Sequence, residues 1–134
     1  MQDSIFTKII KGEIPAEKIY EDEHTLAFLD IYPDEEGHTL IVPKKQIDRI
    51  YDLDDDDYTH LWSVAKRIAR HYEDTLGRRV IFKVIGVDVP HAHIHVIPYD
   101  PQNHTQHTEH MEEKMAQEPD FAALATIASK LRIS

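Results

Sequence analysis

The chain has 134 residues, 41% hydrophobic and 30% charged, which fits one globular domain with a real core. Fifteen basic residues against 25 acidic ones leave a net charge of −10. Nucleic acid and anionic lipid are therefore poor partners, and an anionic ligand needs a local positive group. With no cysteine there is no disulfide framework, thiolate metal site or cysteine nucleophile. No apolar run of about 18 residues occurs, so no membrane span is expected. Met1-Gln2-Asp3-Ser4 lacks the basic-then-apolar pattern of a secretory signal, which makes the cytoplasm the expected compartment.

In chain order, Ser4 to Lys11 reads as a short amphipathic helix with Ile5, Phe6 and Ile9 on one face, ended by Gly12. Lys18 to Glu21 and Thr25 to Asp30 read as strands joined by the turn Glu21-Asp22-Glu23-His24. Pro33 to Gly37 is a polar loop, and His38 to Val42 is a third strand stopped by Pro43. Asp54 caps the one long helix, Asp55 to Leu76, with Leu61, Val64, Ala65, Ile68 and Tyr72 at helical spacing and Gly77 at its end. The run Asp54 to Asp57 suits the positive end of that helix. Val80 to Ile85 is a fourth strand, Gly86 to Pro90 a tight connection, and His93 to Ile97 a fifth strand closed by Pro98. Asp120 is expected to cap a last helix to about Leu131, with Phe121, Leu124, Ile127, Ala128 and Leu131 on its apolar face. Strands joined by hairpin-length connections predict an α+β fold with an antiparallel sheet, whose exposed edge invites dimerisation. A single domain over 1–134 is expected, with its core in about 4–99 and an extension over 100–134.

The stretch His91-Ala92-His93-Ile94-His95-Val96-Ile97 places a histidine at every second position. A strand sends alternate side chains to opposite faces, so the three imidazoles are expected on one face, with Ala92, Ile94 and Val96 on the other. Such a row builds a poor core and a good site. His-x-His can hold a metal, although no further ligand cluster stands out. A neutral imidazole can instead attack phosphorus while its neighbours hold phosphoryl oxygens or protonate a leaving group. Plain polar residues on a wet sheet face are the third possibility, and the pattern alone leaves these open. His38 opens a buried-looking strand and is well placed to reach a neighbouring site. His24, His60, His71, His104, His107 and His110 are expected to be solvated.

His-φ-His-φ-His-φ-φ, with φ apolar, resembles the signature of the histidine triad (HIT) superfamily. The segment from Ser4 to Pro33 and the run GHTLIVPKK from Gly37 to Lys45 resemble the purine-nucleotide phosphoramidase branch of it. The resemblance implies a five-stranded antiparallel sheet with one long helix and short terminal helices, paired in a homodimer. It implies a nucleotide phosphoramidase or nucleotidyl hydrolase that cleaves a nucleoside monophosphate, from an AMP or GMP conjugate, off its leaving group. His93 would be the nucleophile, carrying a covalent nucleotidyl group. His91 and His95 would flank the phosphate, and His38 matches the family's upstream histidine. Asp30 matches the acid that binds the ribose hydroxyls, and Ile5, Phe6, Ile9, Leu29 and Ile31 match the apolar slot around the purine. No cofactor is implied.

The chain departs from the branch at two places. Relatives carry a longer glycine-rich connection before the triad, whose Gln and hydroxyl side chains donate to the phosphate. Here Val87 and Asp88 stand at those positions. Val87 cannot donate through its side chain and an ionised Asp88 repels phosphate, leaving Asp88 to sit protonated, orient a histidine or bind a leaving-group amine. Ser4, Thr7 and Gln46 replace two cysteines and a histidine that hold structural zinc in some bacterial relatives, so no metal is expected. A dinucleoside polyphosphate hydrolase and a nucleotide-binding regulator with little turnover are the alternatives.

Overall fold

Local capping chemistry sets the helices. Our computed structural model describes residues 2–102 and 118–133. The Ser4 hydroxyl accepts the Thr7 amide and opens α1 (Ile5–Ile10). Asp54 does the same for the Asp57 amide at the start of α2 (Asp55–Leu76). Gly77 ends α2 in the left-handed region, φ 69°, where its amide reaches the Glu73 carbonyl. Asp120 caps α3 (Phe121–Leu131) by accepting from the Ala123 amide. Ile50–Asp52 forms a single 3₁₀ turn.

The strands are β1 (Lys18–Glu21), β2 (Thr25–Leu29), β3 (Thr39–Pro43), β4 (Val80–Lys83) and β5 (Ile94–Pro98). They form one five-stranded sheet in the order β1-β2-β3-β5-β4, with every neighbouring pair antiparallel. Four strands differ from the sequence expectation at their ends. β2 stops at Leu29 rather than Asp30, β3 runs from Thr39 to Pro43 rather than from His38 to Val42, β4 stops at Lys83 rather than Ile85, and β5 runs from Ile94 to Pro98 rather than from His93 to Ile97. The backbone just before β5 bonds elsewhere: the His91 amide donates to Val89 and the Ala92 amide to Ile47. Residues beyond Lys83 therefore find no ladder partner on β5.

Alternation splits the sheet into two faces. Ala27, Leu29, Ile41, Ile94 and Val96 face α2 and α3, meeting Leu61, Val64, Ala65, Ile68, Tyr72, Ala128 and Leu131. Leu26, Phe28, Leu40 and Val42 face α1 and meet Phe6 and Ile9. Within the larger core, the Thr39 hydroxyl donates to the Gly37 carbonyl and accepts from the Tyr72 hydroxyl at 2.6 Å. Burial pushes the Tyr72 phenol well up. Gly37 has φ +91°, and a Cβ there would meet Pro98 Cγ at 3.1 Å and Leu131 Cδ1 at 3.2 Å. Glycine is required on both counts, and the turn it makes delivers His38 to the sheet.

The two sheet edges are treated differently. The chain after α3 covers β1: the Ile133 amide donates to the Ile19 carbonyl, and Arg132 Nε to that of Lys18. No such cover lies on β4 among the described residues. No helix among them is long and apolar enough to cross a membrane.

Candidate active site

β3 and β5 bring the site together. Leu40 lies opposite His95 in the ladder, so His95 shares the α1 face with Leu40 and Phe28. His93 sits just before β5, edge-on to Phe6 with ring centres 5.0 Å apart and 5.1 Å from the His95 ring. The His38 and His95 rings are 5.2 Å apart.

Bonding partners fix the protons on these rings, because an amide only donates and a carbonyl only accepts. His93 Nδ1 lies 2.7 Å from the His91 carbonyl, so Nδ1 carries the hydrogen and donates it. Its Nε2 keeps a lone pair with no partner among the described residues. The Asp34 amide donates to His38 Nδ1 at 3.0 Å, so the neutral His38 ring carries its hydrogen on Nε2. That Nε2–H donates to His95 Nδ1 at 2.9 Å. His95 in turn carries its hydrogen on Nε2. A single backbone amide thus sets two imidazoles in series.

His91 is placed differently from the expectation that it flanks a phosphate. It is fully buried, with Nε2 donating to the Pro43 carbonyl at 2.7 Å and Nδ1 accepting from the Ser4 hydroxyl at 2.7 Å. Both nitrogens are committed to the protein, so His91 acts on the site only through its carbonyl, which holds His93. A latch surrounds it. The Thr7 hydroxyl donates to Gln46 Oε1 at 2.6 Å, the Ser4 amide donates to the same oxygen at 2.8 Å, and Gln46 Nε2 donates to the Gln2 carbonyl. The replacements at Ser4, Thr7 and Gln46 thus satisfy one another by hydrogen bonds.

Leu29 is a correction. It lies on the α2 face of the sheet, buried in the opposite core from the histidines. Its neighbour Phe28 is the residue on the site face, edge-on to Phe6 with ring centres 5.6 Å apart. Phe6 and Ile9 are buried beside it, while Ile5 is half-exposed and Ile31 is 36% exposed. Asp30 is oriented by the Tyr32 amide on Oδ1, and its Oδ2 lies 3.6 Å from His38 Nε2. Asp88 is exposed, yet close enough for its charge to favour the protonated form of His93. Val87 points into solvent at 82% exposure. His60 bonds Asp22 and His71 bonds the Leu131 carbonyl, so both tie surface elements together. His24 stacks edge-on near His60. His104, His107 and His110 lie outside the described residues.

Asp30, His38 and His95 bring three possible ligand atoms within 4.8 Å of one another. The Asp34 amide argues against a cation there. While it donates to Nδ1 of a neutral His38, Nε2 keeps its hydrogen and has no lone pair for a metal.

His91, His93 and His95 are held neutral. Burial lowers the affinity of His91 and His93 for a proton, opposed at each by a carbonyl bond and at His93 also by the charges of Asp30 and Asp88. Burial, reinforced by repulsion from His38, takes His95 down to about 3. The unfolded chain takes up protons near the ordinary imidazole value of 6.5, and the folded chain does not. Stability from these rings is therefore complete above 6.5 and is lost as pH falls toward the folded values. The urea midpoint is expected to drop between pH 7 and pH 5. A midpoint that rises over that interval would contradict the assigned burial.

The HIT domain family matches residues 11–102, and the chain belongs to that family. An uncharacterised HIT-like protein of Methanocaldococcus jannaschii is 43% identical over 99 residues, covering 70% of this chain and 77% of that one. The adenosine 5'-monophosphoramidase of Saccharomyces cerevisiae is 42% identical over 96 residues, covering 70% of this chain and 61% of that protein. A crystal structure of a HIT-like protein from Bartonella henselae, described as involved in cell-cycle regulation, superposes with a TM-score of 0.79 at 27% identity, covering 97% of this chain and 95% of that one.

Proposed function

We propose that the protein cleaves a nucleoside monophosphate group from its leaving group, through a nucleotidyl intermediate on His93, with a purine nucleotide such as an AMP or GMP conjugate as substrate. The observation that carries this is the His93 tautomer. Its Nδ1–H is held by the His91 carbonyl, so the nitrogen left with a lone pair is Nε2. Attack by Nε2 on the α-phosphorus forms the N–P bond as the bond to the leaving group breaks. The ring then becomes cationic, and the carbonyl on Nδ1 together with Asp30 and Asp88 favours that charge. Such stabilisation gives the exposed Asp88 a use despite its repulsion of phosphate. His95, neutral, serves as a hydrogen-bond donor to the phosphoryl oxygens or the leaving atom rather than as a store of protons. A leaving amine takes its proton from a water molecule, leaving hydroxide. That hydroxide, or a second water that gives it a proton, attacks phosphorus, the N–P bond breaks with its electron pair returning to Nε2, and the nucleoside monophosphate departs with His93 back in its first tautomer. Asp30 accepts the ribose hydroxyls, and Phe6, Ile9, Phe28, Ile5 and Ile31 border the base.

Turnover of adenosine 5'-phosphoramidate and of a diadenosine polyphosphate, followed as AMP release, tests this. AMP is expected faster from the phosphoramidate. AMP binding without release from either substrate would leave a binding module instead, and turnover abolished by a chelator and restored by zinc would point to a metal enzyme.

A homodimer through the open edge of β4 fits the exposed apolar residues there. Phe82 is 41% exposed, lies edge-on to Trp62 and is followed by exposed Val84 and Ile85. Trp62 Nε1 is buried and has no partner among the described residues. Light scattering after size exclusion is expected to give the mass of two chains for the wild type and of one for Phe82→Lys; a monomeric wild type would refute the dimer.

A further inference from the structure

We infer that Lys83 is the cation that meets the phosphoryl group of the substrate. Resting on the nucleotide reading of this site, the inference names the group that receives the ligand's charge. A site made only of the triad and its neighbours is poorly suited to a phosphate. The chain carries a net charge of −10 and the histidines are neutral. Asp30 and Asp88 both add negative charge near His93. The segment before β5 presents Val87 and Asp88, neither of which brings positive charge. Phosphoryl transfer needs positive charge or donors aimed at the non-bridging oxygens, and an acidic protein must supply them locally.

Lys83 is placed to do so. It lies directly opposite His95 in the β4–β5 ladder, on the same face of the sheet. Its ammonium reaches Asp34 Oδ2 at 3.8 Å, and the Lys83 side chain is 23% exposed. Asp34 is also the residue whose amide donates to His38 Nδ1. The ammonium is thereby tethered at the end of the same His38–His95 pair that orients the donor hydrogen. At 3.8 Å the ion pair is long, near the outer limit for such contacts. A phosphoryl group entering between His93 and His95 meets a lysine held on the same face of the sheet, with Asp34 keeping its amine at the site. The charge of Lys83 is already felt at His95, where it disfavours protonation. It thus helps to keep that imidazole neutral.

Calorimetric titration of the full chain with AMP and with adenosine, for wild type, Lys83→Met and Lys83→Arg, tests the assignment. Loss of one charge-assisted contact is expected to weaken AMP binding by Lys83→Met about tenfold or more. Adenosine affinity stays unchanged, AMP binding becomes less sensitive to salt, and Lys83→Arg retains most of it. AMP affinity unchanged in Lys83→Met would overturn the assignment. So would an equal loss for AMP and adenosine in both variants, which would make Lys83 merely structural. A wild type that binds neither ligand would overturn the nucleotide reading itself and this inference with it, a result distinct from the other two.

Discussion

On the proposed covalent route, His93→Ala is expected to lower turnover by at least about a thousandfold, because the substitution removes the attacking atom rather than one of its supports. The same variant loses one hydrogen bond, to the His91 carbonyl, and edge contacts with Phe6 and His95. Because the buried carbonyl loses its donor, the unfolding free energy is expected to fall by about 1–3 kcal/mol. Affinity for AMP is expected to remain, because the proposed ligand contacts of Asp30, Lys83 and the apolar slot are untouched. Steady-state rates, urea unfolding and AMP titration of one preparation separate the three quantities. A variant that still turns over at a tenth of the wild-type rate would remove His93 from the chemistry.

His91→Leu is expected to act through the fold. The ring is fully buried and both nitrogens are bonded, to Ser4 and to Pro43. Leucine leaves the Pro43 carbonyl without its donor. The Ser4 hydroxyl partly recovers, because Thr7 Oγ1 lies within reach at 3.2 Å. An orphaned buried acceptor with imperfect repacking costs about 2–4 kcal/mol, measured as a shift in the urea midpoint. Activity falls as well, since the carbonyl that fixes the His93 tautomer belongs to the displaced residue. The two neighbours thus differ in route: alanine at 93 removes the proposed nucleophile itself, and leucine at 91 reaches the site only through the packing that holds it. If His91→Leu were as stable as the wild type and only catalytically impaired, His91 would be a group that touches substrate after all.

Much of the framework was legible in the sequence for specific reasons. α2 runs over its expected bounds because Asp54, a strict helical apolar period and Gly77 mark both ends locally. The strands were visible as short β-branched runs between turn residues, and their ends shifted by a residue or two where partners ran out. The face assignments were harder. All five residues of β2 are buried, so its hydrophobic pattern carries no alternation to say which side each residue takes. Leu29 is placed in the slot by the resemblance, and no alternation within β2 stands against it, although the parity of Phe28 with Asp30, two residues on, points to Phe28. The role of His91 was hidden for another reason. Its partners Ser4 and Pro43 are 87 and 48 residues away in sequence, and only the fold brings them within a hydrogen bond. The Asp34 amide on His38 was equally hidden, since a backbone donor has no residue type to recognise. Lys83 lies within the expected fourth strand, and its place beside His95 appears only with the β4–β5 register.

The most direct measurement is intact-mass analysis of the protein mixed with adenosine 5'-phosphoramidate and quenched in base within the first turnover, followed by mapping of the modified peptide. A single nucleotidyl group is expected on His93, present in the wild type and missing from His93→Ala. An adduct on another residue would contradict the assignment of the nucleophile, and rapid AMP release with no adduct at any time would contradict the covalent route.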